Sequence, residues 1–475
     1  MVITYLIVSV AIVISLFILR DKRVVYSLLG LFLVWQGWFT IQACLHFGTT
    51  DAVYFTYDSL GILLLVTLSI IAVPAALHSC IYIENHYEPP RSRSIYLGSL
   101  ILLIMAISAG YLSNHIAVTW IFTEITTLSA SALIYHHRNK LALESTWKYV
   151  FICAISITFI FIGILFLSLS LQHTGSDDLS FSNLLAKSKE LNPVWLQMAF
   201  LFIFTGFTAK LGLVPMYTAG IDAKDTAPAP AGALLATVLM NLGFVGIFRF
   251  YIVIANTPLL HWAKLVVGIA AFLSLFVATV YMLKVKNIKR MFAYSGIEHM
   301  GIVMLGVAAG GIGYYAAILH IVLHAFVKSS IFFQYNQLYR VYQNKSITHL
   351  GNYFKYNPTG AMVLLLGFIS AAAMPPSGLF VSEFLIFKSL FDAKQIFVLI
   401  AVLLLLTMII WSFGKNIFKV LFVPAEGFDD SRVARTSPWE SLSQFLLLAT
   451  AVYLGLNPPP VFVQLIKESL ILLPQ

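Results

Sequence analysis

Charge is scarce in this chain. Only 10% of its 475 residues are Asp, Glu, Lys or Arg, against roughly 25% in soluble globular domains. That shortage excludes an ordinary soluble domain. Cysteine is scarcer still: Cys44, Cys80 and Cys153 stand alone, in or at the ends of apolar segments. With no CxxC, a zinc or iron–sulfur centre built by this chain by itself is not expected. GxGxxG and P-loop patterns are missing as well, so nucleotide chemistry is not indicated. The net charge of +9 invites a nucleic-acid reading. The basic residues argue against it, because they cluster in short loops between apolar runs, which is how membrane topology is encoded.

What is abundant is hydrophobic sequence, 60% of the chain. Fourteen apolar spans are expected, near 2–20, 24–47, 58–83, 95–112, 114–135, 148–172, 194–219, 227–255, 260–283, 291–309, 311–338, 358–393, 396–423 and 440–466. The expected fold is therefore an all-α polytopic membrane protein. The opening stretch "MVITYLIVSVAIVISLFILR" has no basic n-region and no small-residue cleavage site, so it is expected to be the first transmembrane helix and not a signal peptide. Basic loops (20–23, 88–94, 136–140, 284–290, 339–355, 431–437) follow odd spans, and acidic loops (47–58, 175–183) follow even ones. Odd spans are thus expected to end in the cytoplasm, with both termini outside.

Two spans look broken. Span 7 carries Pro215 shortly after Lys210; span 12 carries Pro375, Pro376 and Gly378 before Glu383. Proline removes a backbone donor and clashes with the preceding turn. Within a membrane such breaks persist only where the freed backbone faces protein or a wet cavity. Discontinuous helices five spans apart fit an inverted repeat of two five-helix units, since an odd number of spans reverses orientation. Two unrelated proline kinks are the alternative.

Among the ionisable residues inside spans, six are the candidate site residues: Glu124, Lys210, His320, His324, Lys328 and Glu383. Each is costly, at least about 2.5–3.5 kcal/mol for a charge at the bilayer centre. In "LHIVLHAFVKSSIFF" (319–333), His320, His324 and Lys328 are spaced four apart, which stacks them on one helical face. One buried histidine is usually a satisfied core residue. Two histidines and a lysine in register look like a proton relay, because histidine titrates near neutrality and burial or a neighbouring acid tunes lysine. Glu124 is the natural partner of Lys210 by charge. A zinc reading of His320 and His324 is disfavoured: Ile321, Val322 and Leu323 lie between them, with no general-base Glu and no third ligand in view. Lys388, close to the end of its span, reads as a snorkelling or ion-paired residue.

The motifs together resemble a known family. The chain looks like an antiporter-like subunit of respiratory complex I and its relatives, the NADH-quinone oxidoreductase family. The resemblance rests on the span-5 Glu124, "AKLGLVPMYTAGIDAKDTAPAPAGALLA" (209–236), "KNIKRMFAYSGIEHMG" (286–301), the His-Lys helix at 319–333 and "MPPSGLFVSEFLIF" (374–387). The Glu298–His299 pair resembles the hydrogenase-4-type branch. The resemblance implies about 14 helices arranged as peripheral helices (1–94), a first inverted repeat (95–256), a second (257–425) and a last helix (426–475). It implies that Glu124 and Lys210 are the key pair of the first half. His320, His324 and Lys328 would connect the halves, and Glu383 would be the exit group. It also implies a proton-translocating, non-catalytic subunit of a multi-subunit redox complex in a prokaryotic inner membrane, with other membrane and redox subunits as partners and no cofactor of its own. A multi-subunit sodium/proton antiporter subunit, a proton-driven membrane partner of an inorganic-carbon uptake enzyme, and a structural subunit with a dead channel are the rivals. The chain departs from the family where "AGIDAK" (219–224) replaces Trp-Leu-Pro-Asp-Ala-His, so that Lys224 stands in place of the His, and where Ala236 stands in place of a helix-8 lysine.

Overall fold

The computed structural model describes residues 1–172, 174–425, 428, 433 and 436–474. Of the basic loop at 431–437, Ser431, Arg432, Ala434 and Arg435 lie outside the described residues.

The described chain is helical apart from one short antiparallel pair, Thr50–Asp51 with Phe55–Thr56. In order the α-helices are α1 (Val2–Ile18), α2 (Lys22–Leu45), α3 (Ser59–Asn85), α4 (Pro90–Leu112), α5 (Ile116–Ile134), α6 (Lys140–Leu171), α7 (Phe181–Ala186), α8 (Pro193–Leu211), α9 (Thr218–Thr226), α10 (Ala229–Ala236), α11 (Val238–Ala255), α12 (Leu260–Lys284), α13 (Ile288–Ala309), α14 (Ile312–Tyr342), α15 (Tyr353–Tyr356), α16 (Pro358–Ala371), α17 (Gly378–Asp392), α18 (Ile396–Phe422), α19 (Leu442–Leu456) and α20 (Pro460–Glu468). Local chemistry sets several starts. Asn139 caps α6 through the Ala142 N–H; Asn192 caps α8, with Pro193 at its first position; Ser377 caps α17 through the Phe380 N–H.

Among the described residues eleven helical stretches are long and apolar enough to cross a membrane, and twelve if the bent pair Pro438–Leu456 and Pro460–Glu468 is one span. The protein is an all-helical, multi-pass membrane protein. Three of the fourteen expected spans fall outside the eleven, for reasons of length and shape. The first is a helix of 17 residues; span 12 divides into helices of 14 and 15; span 14 bends by 71°. The surface is the reverse of a soluble protein's. Large apolar side chains such as Phe397, Leu404 and Trp411 of α18 point outward, while Lys328, His320 and His324 have no exposed surface.

The chain forms two compact units. The first holds Met1–Ala227, Val238–Val266 and Val461–Gln475; the second holds Pro228–Thr237 and Val267–Pro460. In the first, α8 stops at Gly212, whose φ of +85° closes the helix in the left-handed region. The Pro215 segment then leads into α9. Close by, α11 packs on the end of α8 at Gly243, where a Cβ would stand 2.4 Å from the Leu211 nitrogen. In the second unit, α16 and α17 are separated by the segment containing Pro375 and Pro376. There α13 and α14, joined through Gly310 and Gly311, run buried over nearly their whole length.

Candidate functional site

In the first unit Lys210 lies near the C-terminal end of α8, and only 5% of its surface is exposed. Its Nζ donates to Thr127 Oγ1 at 2.7 Å and to Tyr149 Oη at 3.2 Å, and stands 5.3 Å from the Tyr149 ring centre. The Thr127 hydroxyl donates to the Thr123 carbonyl at 3.2 Å, which leaves its oxygen free to accept from the lysine. Glu124, one turn before Thr127 on α5, is half-buried and within electrostatic reach of Lys210. The two make no direct ion pair within 4 Å among the described residues; a threonine hydroxyl takes the lysine instead. Glu124 Oε2 is buried without a hydrogen-bond partner.

Lys224 of α9 is buried in the same unit, 4% exposed, with its Nζ 3.1 Å from Met240 Sδ on α11. The adjacent Thr226 hydroxyl bonds Ser145 of α6 at 2.7 Å.

In the second unit His320, His324 and Lys328 lie along one face of α14, and that face meets α13. Lys328 Nζ donates to Ser295 Oγ at 2.7 Å and toward the Phe292 carbonyl at 3.4 Å. The His324 ring centre is 5.0 Å from that of His299. His320 Nε2 is 3.1 Å from His299 Nδ1, and its Nδ1 is 2.9 Å from Ser382 Oγ on α17. Glu383 is buried and reaches His299, with Oε1 3.8 Å from Nδ1. Glu298 is buried beside Lys328, within electrostatic reach of it and of Glu383. The row therefore runs Lys328, His324, His299, then His320 and Glu383.

Ser382 admits one consistent set of bond directions: its hydroxyl donates to the Leu379 carbonyl at 3.0 Å and its oxygen accepts from His320 in the Nδ1–H tautomer. His320 Nε2 then carries a lone pair and faces His299. In this form His299 donates Nδ1–H to it, and a proton added to the pair is shared between two rings from different helices.

His299 and Glu298 are the members that spacing arguments missed as site residues. The signal was present: two ionisable residues inside an apolar span meet the same criterion that selects Glu124. In the sequence, "SGIEHMG" points only to the hydrogenase-4-type branch. Lys388 pairs with Asp392 at 2.6 Å, and both are half-exposed.

A family profile described as NADH:quinone oxidoreductase/Mrp antiporter, TM, matches residues 113–409, more than half of the chain. The chain belongs to this family. Among its relatives is the hydrogenase-4 component F homolog of Methylacidiphilum infernorum, 29% identical over 430 residues that cover 88% of this chain and 89% of the relative. A chain in the structure of the membrane-bound sulfane sulfur reductase, an archaeal respiratory membrane complex, superposes with a TM-score of 0.86 at 18% identity over 98% of this chain and 96% of that one. A chain of respiratory complex I from Thermus thermophilus with bound aureothin superposes with a TM-score of 0.79 at 17% identity, covering 97% and 98%. These likenesses establish the fold. This antiporter-like membrane subunit is thus of the kind found in complex I, hydrogenase-4 and Mrp assemblies, and its structural relatives are subunits of multi-subunit membrane complexes.

Proposed function

We propose that this antiporter-like subunit translocates protons in a complex I-like or hydrogenase-4-type energy-converting oxidoreductase of a prokaryotic inner membrane. The observation that carries the reading is the buried row Lys328–His324–His299–His320/Glu383, assembled from three helices. A hydroxyl meets the lysine at one end and imidazoles meet the carboxylate at the other. A proton relay needs groups that gain and lose protons without large rearrangement, and paired imidazoles supply them.

In this reading the chain crosses the membrane fourteen times as two inverted five-helix repeats around peripheral helices, with discontinuous helices 7 and 12 and both termini outside. Glu124 and Lys210 are the loading pair of one repeat. His320, His324 and Lys328 carry the proton, and Glu383 releases it on the far side. A neighbouring redox subunit changes the local charge or geometry and thereby weakens the hold on Lys210. Moving one charge against 100 mV takes about 2.3 kcal/mol, and one pKa unit corresponds to about 1.36 kcal/mol. Shifts of two or three units are therefore of the right size.

The first experiment is affinity purification of the tagged chain in mild detergent, with its partners identified by mass spectrometry. Hydrogenase-like and iron–sulfur subunits are the expected result. Small membrane subunits by themselves point instead to a sodium/proton antiporter, and one large soluble enzyme to proton-driven inorganic-carbon uptake. Either result overturns the redox assignment.

A further inference from the structure

Three side chains from three helices converge at one point of the second unit. His299 Nδ1, His320 Nε2 and a Glu383 carboxylate oxygen all lie within 4.8 Å of one another. All three residues are buried, the two histidines completely. In the tautomer that donates Nδ1–H to Ser382, the His320 ring nitrogen that faces the other two groups is bare. Metal-ligating histidines are held in this way, with one nitrogen bonded to an oxygen that fixes the ring and the other left for the ion. His299 Nε2 makes no close hydrogen bond, and the ring interacts with the Ala371 backbone. Moving the His299 proton to Nε2 frees Nδ1 at the cost of the bond to His320. With Glu383 ionised, which a bound cation favours, three lone-pair groups then face one point.

We infer that His299, His320 and Glu383 bind one borderline divalent transition-metal ion, for which Zn2+ is the natural probe. Two imidazoles and a carboxylate form a His2Glu set, which leaves a fourth position for water. Zinc–ligand distances of about 2.0–2.2 Å put the ligand atoms of a tetrahedral site about 3.3 Å apart. Two of the three separations, 3.1 Å between the two ring nitrogens and 3.8 Å from His299 to Glu383, lie on either side of that value, and the third is within 4.8 Å, so the carboxylate must move inward to close the site. Mg2+ and Ca2+ are poor candidates, since they call for a shell of oxygen ligands that this set lacks. Along α14 by itself, His320 has only His324 as a second ligand. The second and third ligands come from α13 and α17. Binding is a property of the triad and does not depend on the proton-path reading, so either can fail while the other stands.

The test uses the full-length chain, purified in mild detergent with the partners it retains and stripped with a chelator. Zn2+ is titrated against a chromophoric competitor in excess Mg2+, and binding is read as the difference between wild type and variants, so that metal held elsewhere cancels. The expected result is one more Zn2+ per chain in wild type. Ser382→Ala should weaken that site by about tenfold. His299→Ala and Glu383→Gln should weaken it by at least about 100-fold. Glu383→Gln keeps the side-chain shape and decides the matter if His299→Ala does not fold; its melting temperature is compared with wild type in the same detergent. Equal Zn2+ stoichiometry and affinity in wild type and a folded Glu383→Gln overturns the inference.

Discussion

The two buried lysines begin alike and end differently. Each Nζ donates at 2.7 Å to a hydroxyl on a neighbouring helix, Lys210 to Thr127 and Lys328 to Ser295. Each hydroxyl has a glutamate three residues away on its own helix: Glu124 before Thr127, Glu298 after Ser295. Beyond that the surroundings diverge. Lys210 is boxed by a phenol ring, and its glutamate is half-buried. Lys328 has no exposed surface and continues, through His324 and His299, into a chain of imidazoles that ends on a buried carboxylate. A hydroxyl with a nearby glutamate can hold a charged lysine, but it supplies no row of imidazoles beyond it. The imidazoles of the second unit provide a next acceptor, so the two pockets are suited to loading and to transfer.

Four measurements break or sharpen this comparison. Lys210→Ala should have the largest effect, lowering coupled proton translocation in the assembled complex on the order of tenfold or more, as read by a pH-sensitive dye in proteoliposomes. Translocation left intact would falsify the loading role. His299→Gln should slow translocation several-fold, because it leaves Lys328, His320 and Glu383 in place and removes only the ring that joins them. If His299→Gln matches wild type while His320→Gln does not, the row is not continuous through His299.

The hydroxyls come next. Thr127→Val and Ser295→Ala each remove an acceptor from a buried ammonium, and each should cost about 1.5–3 kcal/mol of stability, measured by thermal melting in detergent. Similar losses support the likeness of the two pockets; a loss at one site only breaks it. The smallest effect belongs to a control outside both pockets. The His136 hydrogen bond holds the loop residue Glu88 down to about 2 from 4.5, with His136 Nε2 3.0 Å from its carboxylate. A carboxyl held low contributes stability that is complete above its unfolded value and is lost as pH falls through its folded value. The melting temperature should therefore drop between about pH 4.5 and pH 2. His136→Gln should flatten that slope while leaving proton translocation unchanged.

Parts of these pockets were legible in the residues. Pro215 and Pro375–Pro376 mark the places where α8 and α16 end, because proline cannot continue the backbone ladder. The four-residue spacing of His320, His324 and Lys328 puts them on one face, since side chains at i and i+4 stack. Other features were not legible in that way. Charge alone pairs Glu124 with Lys210, yet Thr127 takes the lysine, because a hydroxyl one turn further along α5 sits nearer. The three-residue step from Glu124 to Thr127 could have raised that possibility. His299 was visible as an ionisable residue in an apolar span, but spacing within one helix says nothing about which neighbour it meets.

Composition and periodicity by themselves determined that this chain is a helical membrane protein, and that its few internal charges are its candidate working parts. The physical reason is cost: a bilayer penalises each charge so heavily that position in an apolar span already singles it out. Only the tertiary structure decided which groups touch. The face of α14 meets α13, Ser382 of α17 meets His320 Nδ1, and Glu383 arrives from beyond the proline break. Helical periodicity orders residues along one axis; the geometry between axes is set by packing across the whole unit, which no local spacing encodes.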